Sequence, residues 1–333
     1  MNGSTPFVTL AEIEAARRAI AGTIRRTPVN PSPVLGEKAG VPVHLKLEHL
    51  QVTGSFKLRG ATNAVLSLGD GEKARGVVGV STGNHGRGLA YAARAAGVRC
   101  VICMSRLVPQ AKIDGIRAQG AEVRIVGNSQ DEAQQEVDRL VAGGMTMIPP
   151  FDDRRVIAGQ GTLALELLEQ VPGAATLLVP LSGGGLISGV AAAAKALRPG
   201  IRVIGISMER GAAMHECLEA GRPVHVEELP TLADSLGGGI GLDNRLTFAM
   251  TRDLVDDVVL VSEAEIAAGI RHVYWEERQV VEGAGAVGVA ALLAGRIESA
   301  GPVVAVLSGG NIDMRQHYRV ISGEDVDVAR DTA

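Results

Sequence analysis

Hydrophobic positions along this chain fall into short runs of strand length, separated by stripes of helical period. Leu10, Ile13, Ile20 and Ile24 keep a helical stripe behind Thr9 and Glu12, whose spacing is that of a capping box. Val43, Leu45 and Leu47 alternate with His44, Lys46 and Glu48, which predicts a strand with one polar face. From there strand-like runs recur at 76–80, 98–104, 121–126, 145–148, 176–181, 201–206, 257–261 and 302–307. Helical stretches fit between most of them, at 86–96, 132–141, 163–170, 186–197, 266–278 and 284–294. Such alternation predicts an α/β fold with mostly parallel sheets. About ten strands are many for one twisted sheet, so two sheets in two domains are expected. A rigid Pro149-Pro150 pair after the fourth run of the middle block marks the natural break.

Composition narrows the function classes. The 333 residues are 46% apolar and 21% charged, which is ordinary globular usage. A net charge of -4 with scattered basic residues gives no electrostatic case for nucleic acid, and 2% aromatics supply no base-stacking platform. Cys100, Cys103 and Cys217 make no disulfide framework. Cys100 and Cys103 have the spacing of a metal-binding pair, but three apart on a strand they point to opposite faces. They read as buried thiols in a reducing compartment. No charged start leads into an apolar core, and no long uncharged apolar stretch follows, so the expected location is the cytoplasm, away from membranes.

Candidate chemistry lies at the ends of the strand runs. Ser81-Thr82-Gly83-Asn84-His85-Gly86 follows the run at 76–80 and opens a helix. Ser182-Gly183-Gly184-Gly185-Leu186 follows 176–181 and opens another, and Ser308-Gly309-Gly310-Asn311 follows 302–307. In doubly wound sheets ligands bind beyond the carboxyl ends of strands, so all three loops occupy the ligand rim. The triple glycine lets backbone N–H groups close on a phosphate at a helix N-terminus, or serves only as a tight strand-to-helix turn. The remaining requirement is an amine. Lys57, in Ser55-Phe56-Lys57-Leu58-Arg59-Gly60, is one of six lysines against 27 arginines. An amine opposite an anion-binding loop suits a phosphorylated aldehyde cofactor. Gly283-Ala284-Gly285-Ala286-Val287-Gly288 spells a dinucleotide fingerprint, yet no strand run leads into it. It reads as a close-packed helix start.

These motifs carry a resemblance. With S-F-K-L-R-G at Ser55–Gly60, S-T-G-N-H-G at Ser81–Gly86, V-I-A-G-Q-G-T at Val156–Thr162, S-G-G-G-L at Ser182–Leu186, T-L-A-D at Thr231–Asp234 and S-G-G-N at Ser308–Asn311, the chain resembles fold-type II pyridoxal-phosphate enzymes of the threonine dehydratase and serine racemase group. The likeness runs from about Thr9 to Asp313, and 208–214 and 234–244 look most like dehydratases of hydroxyectoine breakdown. It implies two doubly wound α/β domains with pyridoxal 5'-phosphate between them, a large one at 1–75 and 153–333 and a small one at 76–152. Lys57 is then the Schiff-base lysine and Phe56 packs on the cofactor ring. Asn84 bonds the ring hydroxyl, Ser182, Gly183, Gly184, Gly185 and Leu186 hold the phosphate, and Ser308 faces the pyridine nitrogen. Ser81, Thr82, Gly83, Asn84 and His85 take the substrate carboxylate.

The implied reaction is removal of the Cα proton by Lys57 and loss of a β-hydroxyl from a small hydroxy amino acid, giving a 2-oxo product and ammonia. A homodimer without a regulatory domain is implied. Three departures from the family pattern stand out. Thr82 stands where serine racemases carry the opposite-face serine acid/base. Ser207 and Ala213 stand where cation-binding relatives place carboxylates, so no metal is expected. Ser235 replaces the usual glycine near the substrate. Rival readings are a racemase or β-replacement synthase on the same scaffold, a non-catalytic cofactor-binding protein, and a nucleotide-binding dehydrogenase. On their own chemistry, His85 reads as a cap of its helix, Asp152 and Asp153 as caps of the next one, and Arg154 or Arg155 as exposed or as partners of a second carboxylate. Glu282 reads as near the site by resemblance, or as a solvated charge at a helix end.

Overall fold

A computed structural model describes residues 7–81, 83–108, 110–326 and 328. The described residues contain ten strands: β1 Val29–Pro31, β2 Val43–Lys46, β3 Val77–Val80, β4 Cys100–Met104, β5 Glu122–Ile125, β6 Thr146–Met147, β7 Thr176–Pro180, β8 Arg202–Met208, β9 Asp257–Val261 and β10 Val303–Val306. They form a six-stranded sheet, β1-β2-β10-β7-β8-β9, and a four-stranded sheet, β5-β4-β3-β6. Every pairing is parallel except that of β1 with β2.

Strand order tells where ligands should bind. In the larger sheet the chain runs outward from β7 through β8 to β9, then returns to lay β10 on the other side of β7. In the smaller sheet it runs from β3 through β4 to β5, and β6 returns beside β3. Each sheet therefore has a switch point, β7/β10 and β3/β6, where the connecting helices leave on opposite faces and open a crevice. The loops after these four strands carry three of the sequence motifs and the Pro149-Pro150 pair.

Alternation along the strands separates the cores. Leu177 and Val179 pack on one face of the larger sheet and Leu178 on the other. In the smaller sheet Cys100 and Ile102 join one cluster, Val101 and Cys103 the opposite one. The cysteines are thus buried, free and on opposite faces, as the strand period requires. The capping box at Thr9 forms, its N–H donating to Glu12 Oε2 at 2.8 Å. No described helix is long and apolar enough to cross a membrane.

Among the helices that the periodicity does not show, two matter for the site, and each hides for its own reason. Lys57–Leu66 is buried from Leu58 to Val65, so it shows no polar stripe. Arg154–Gln170 starts nine residues before the expected 163 because Gly159 and Gly161 look like breakers. A Cβ on Gly159 would fall 2.6 Å from the Arg59 carbonyl oxygen, and one on Gly161 2.8 Å from that of Gly189. These glycines permit close helix crossings, which overrides their poor helix propensity. The polar side of the run at 43–48 is also not solvated: Lys46, at the end of β2, and Glu48, just beyond it, are fully buried.

Candidate active site

The loops after β3, β6, β7 and β10 converge on a cavity of 1010 Å³. Lys57 reaches it because the chain ahead of its helix is tied to the loop after β10. Ser55 bridges Gly309, and Phe56 N–H donates to the Ser308 carbonyl at 3.0 Å. Lys57 then opens its helix half-buried, its Nζ donating to the Pro150 carbonyl at 2.9 Å and lying 5.3 Å from the Phe56 ring centroid. Desolvation draws the Lys57 amine down to about 8, against the opposing pull of the Glu282 carboxylate. Such an amine is a usable nucleophile and base near neutral pH.

Beyond it, Ser182, Gly183, Gly184, Gly185 and Leu186 line the same cavity. Each glycine is required. A Cβ on Gly183 would lie 2.3 Å from the Phe151 ring, and one on Gly185 2.8 Å from Phe151 Cα. Gly184 has φ +86° and caps the 13-residue helix Gly185–Leu197. That helix start, with its free backbone N–H groups and the positive end of its dipole, lines the cavity and so suits an anion. Ser308, 3% exposed, borders the cavity with its hydroxyl near the Ala284 carbonyl at 3.4 Å. A hydroxyl can donate or accept, so it suits a neutral ring nitrogen.

Across the cleft lie Ser81, Gly83, Asn84 and His85. Ser81 Oγ accepts from Gly86 N–H at 3.0 Å, bending the loop over the start of helix Asn84–Ala95. Thr82 lies outside the described residues. His85 does not cap its helix; its Nε2–H donates to the Ile148 carbonyl at 2.8 Å. Burial and the charge of Lys57 take the His85 imidazole down to about 4, so it is neutral. Ser235 is exposed at the cavity rim, its hydroxyl 3.2 Å from Asp234 Oδ1.

Glu282, read from sequence as near the site or as a solvated helix end, is 4% exposed and lines the cavity. Burial and the Asp234 charge push its carboxyl up to about 7, though Asn84 donates to it at 2.7 Å. Phe151 is not singled out by the sequence, and Pro150 is read there only as part of a domain break; their position just after β6 is the available signal for a place at the site. Asp153 caps its helix as expected, accepting from Arg155 and Val156 N–H, whereas Asp152 accepts from Arg245, Leu246 and Thr247 N–H ahead of a different helix. Arg154 pairs with Glu12, and Arg155 with Asp153, away from the cavity lining. The fingerprint-like stretch is a helix start: a Cβ on Gly285 would fall 2.5 Å from the Gly309 carbonyl oxygen. It buttresses the loop bearing Ser308.

The nest, the amine of lowered basicity and the buried hydroxyl fit a phosphorylated pyridine aldehyde, with no side chain filling the cradle. Comparison with known proteins agrees: the chain belongs to the pyridoxal-phosphate dependent enzymes, whose family model matches residues 20–309. It is 60% identical over 318 residues to a Sinorhizobium fredii protein provisionally named threonine dehydratase, covering 95% of this chain and 96% of that one. It is 43% identical to the L-threonine ammonia-lyase of Thermotoga maritima, over 95% of this chain and 79% of that one. Among solved structures, maize serine racemase superposes with a TM-score of 0.89 at 34% identity, covering 95% of this chain and 98% of that one. The threonine deaminase of T.th. gives a TM-score of 0.83 at 38% identity, over 92% of this chain and 99% of that one.

Proposed function

We propose that this protein is a pyridoxal-phosphate-dependent ammonia-lyase that dehydrates and deaminates a β-hydroxy-α-amino acid. Candidate substrates are threonine, serine, 3-hydroxyaspartate and the 3-hydroxy-2,4-diaminobutyrate of hydroxyectoine breakdown, and the products are a 2-oxo acid or imine and ammonia. One observation carries the reading: the Lys57 amine, drawn down to about 8, faces the glycine nest in the same cavity. The names of the relatives support elimination over racemisation.

Pyridoxal phosphate, when bound, supplies the aldehyde that captures an amine and a ring that withdraws electrons from Cα. Lys57 would hold it covalently, the Gly183–Leu186 N–H groups would hold its phosphate, Phe56 would pack on it and Asn84 would meet its ring oxygen. The N–H groups of residues 83–85, with Ser81, hold the substrate carboxylate. The Lys57 amine, when free, would take the Cα proton of the substrate. Ser308 would offer the ring nitrogen a neutral hydroxyl rather than a carboxylate, which would favour loss of the β-hydroxyl over transamination. Glu282 near its own pKa stores or releases a proton beside Asn84. Residues 76–152 form the small domain over this cleft, Ser235 tunes the substrate end, and the enzyme works as a cytoplasmic homodimer. Exposed Trp275, Met314 and Tyr318 offer apolar surface for the second copy.

Purified protein incubated with each candidate should release ammonia and 2-oxo acid from at least one. Enantiomer exchange without ammonia would establish the racemase reading instead, and a yellow protein inert to the whole panel would establish a non-catalytic one. Ser308→Asp should raise transamination; an unchanged product spectrum would remove the nitrogen argument.

A further inference from the structure

Asn311, the last residue of the Ser308–Asn311 motif, plays no part in the mechanism above. It sits within a run of side-chain hydrogen bonds entering the cavity. Arg87 Nη1 donates to Asn311 Oδ1 at 3.2 Å. Asn311 Nδ2 donates to the Thr53 carbonyl at 2.9 Å and to Asn84 Oδ1 at 2.6 Å. Asn84 Nδ2 donates to Glu282 Oε1 at 2.7 Å.

The direction of this relay is dictated by its ends. A guanidinium only donates, so Asn311 must meet Arg87 with its oxygen. A backbone carbonyl only accepts, so the other side of the Asn311 amide must be its NH2. That NH2 takes the Asn84 oxygen, leaving the Asn84 NH2 toward Glu282. Its second hydrogen has no partner among the described residues, and Asn84 lines the cavity. Two glycines make room for the relay. At Gly54, φ +78°, a Cβ would fall 2.6 Å from Asn311 Oδ1, and at Gly309 one would fall 2.3 Å from Glu282 Oε1.

We propose that Arg87 and Asn311 are positioning residues that lock the Asn84 amide with its donor toward the cavity, so that it stabilises the ionised form of the cofactor's ring oxygen. The proposal rests on the cofactor reading above. A rotated Asn84 would offer oxygen instead, favouring the protonated ring hydroxyl and setting oxygen against Glu282. Asn311→Asp is nearly isosteric, keeps the acceptor for Arg87 and removes both donors, so it reverses the relay.

The test is the visible spectrum of reconstituted protein at fixed pH, where the long- and short-wavelength bands report ionised and protonated ring oxygen. Asn311→Asp should lower the band ratio roughly tenfold, the effect of one charge-assisted hydrogen bond. Arg87→Met should move it the same way by less, and Arg87→Lys, which keeps a donor, should restore it. Arg87 is half-buried, so its variants carry the test if Asn311→Asp does not fold. A wild-type ratio in both Asn311→Asp and Arg87→Met, with circular dichroism and melting unchanged, would overturn the relay. Wild-type protein without any visible band after reconstitution would remove the cofactor reading first, and the relay with it.

Discussion

Two groups of buried charge sit on either side of the helix Lys57–Leu66, and they behave in opposite ways. Toward the larger sheet, Arg59 binds Glu48 through Nε and Nη2, both at 2.8 Å, and Glu166 through Nη1 and Nη2 at 2.8 and 2.9 Å. Lys46 completes the group, donating to Glu166 at 2.8 Å, to the Thr27 carbonyl at 2.8 Å and to Gln170 at 2.9 Å. Two cations meet two carboxylates and nearly every donor is used. Burial opposes the charge on Arg59, yet Glu48 and Glu166 hold its proton more firmly than usual. Burial likewise opposes the charge on Glu48, and Arg59 more than offsets it, so the carboxyl is held below its ordinary value. Two residues earlier, the Lys57 amine has no carboxylate within bonding distance, only the Pro150 carbonyl. Desolvation lowers both lysines, but Lys46 is bonded to a carboxylate and Lys57 is not; Lys57 at about 8 and Glu282 at about 7 both sit near physiological pH. Pairing turns buried charge into structure, and withholding a partner turns it into chemistry.

The largest test of that contrast is Lys57→Ala. Turnover should fall by about 10⁴-fold, at the upper end for loss of a general base, and the borohydride-trappable adduct should vanish while the protein stays folded. Steady-state turnover at the wild-type rate would take the lysine out of the mechanism. Arg59→Met should do the reverse, costing about 3–5 kcal/mol in urea unfolding because Glu48 and Glu166 lose their shared cation. A loss below about 1 kcal/mol would mean the quartet is not a structural unit.

Glu282→Gln sharpens the other side. The carboxyl binds its proton more tightly folded, at about 7, than at the ordinary 4.5. Its favourable contribution is therefore present below pH 4.5 and lost as pH rises to about 7. The variant should melt higher than wild type at pH 8, by a difference on the order of a few kcal/mol that shrinks to nothing near pH 4. Parallel melting curves across that window would show that Glu282 does not titrate there. Smallest is Arg17→Ala, which breaks a pair with Glu169 whose side chains are 39% and 43% exposed. Thermal melts should shift by less than about 1 kcal/mol, since solvent and salt already screen it.

Much of this architecture is legible in the linear pattern because strand burial is a local, period-two property. All eight strand runs expected from 76 onward form, and the three glycine loops lie at the carboxyl ends of their strands. The three-residue β1 is too short to show a period. The helix Lys57–Leu66 hides because burial on all sides erases its stripe. At the site, Lys57, the triple glycine and Ser308 announce themselves by residue type. Phe151, Pro150 and Asn311 do not, since their roles arise from contacts with segments far along the chain.

What the order of residues decides is which groups are available and that they lie at the carboxyl ends of strands: an amine, a nest, a hydroxyl. What only the folded packing decides is the state of those groups. Lys46 and Lys57 look alike on paper, as do Glu48 and Glu282, because a protonation state depends on desolvation and on partners from other elements, and neither is a property of neighbours in sequence.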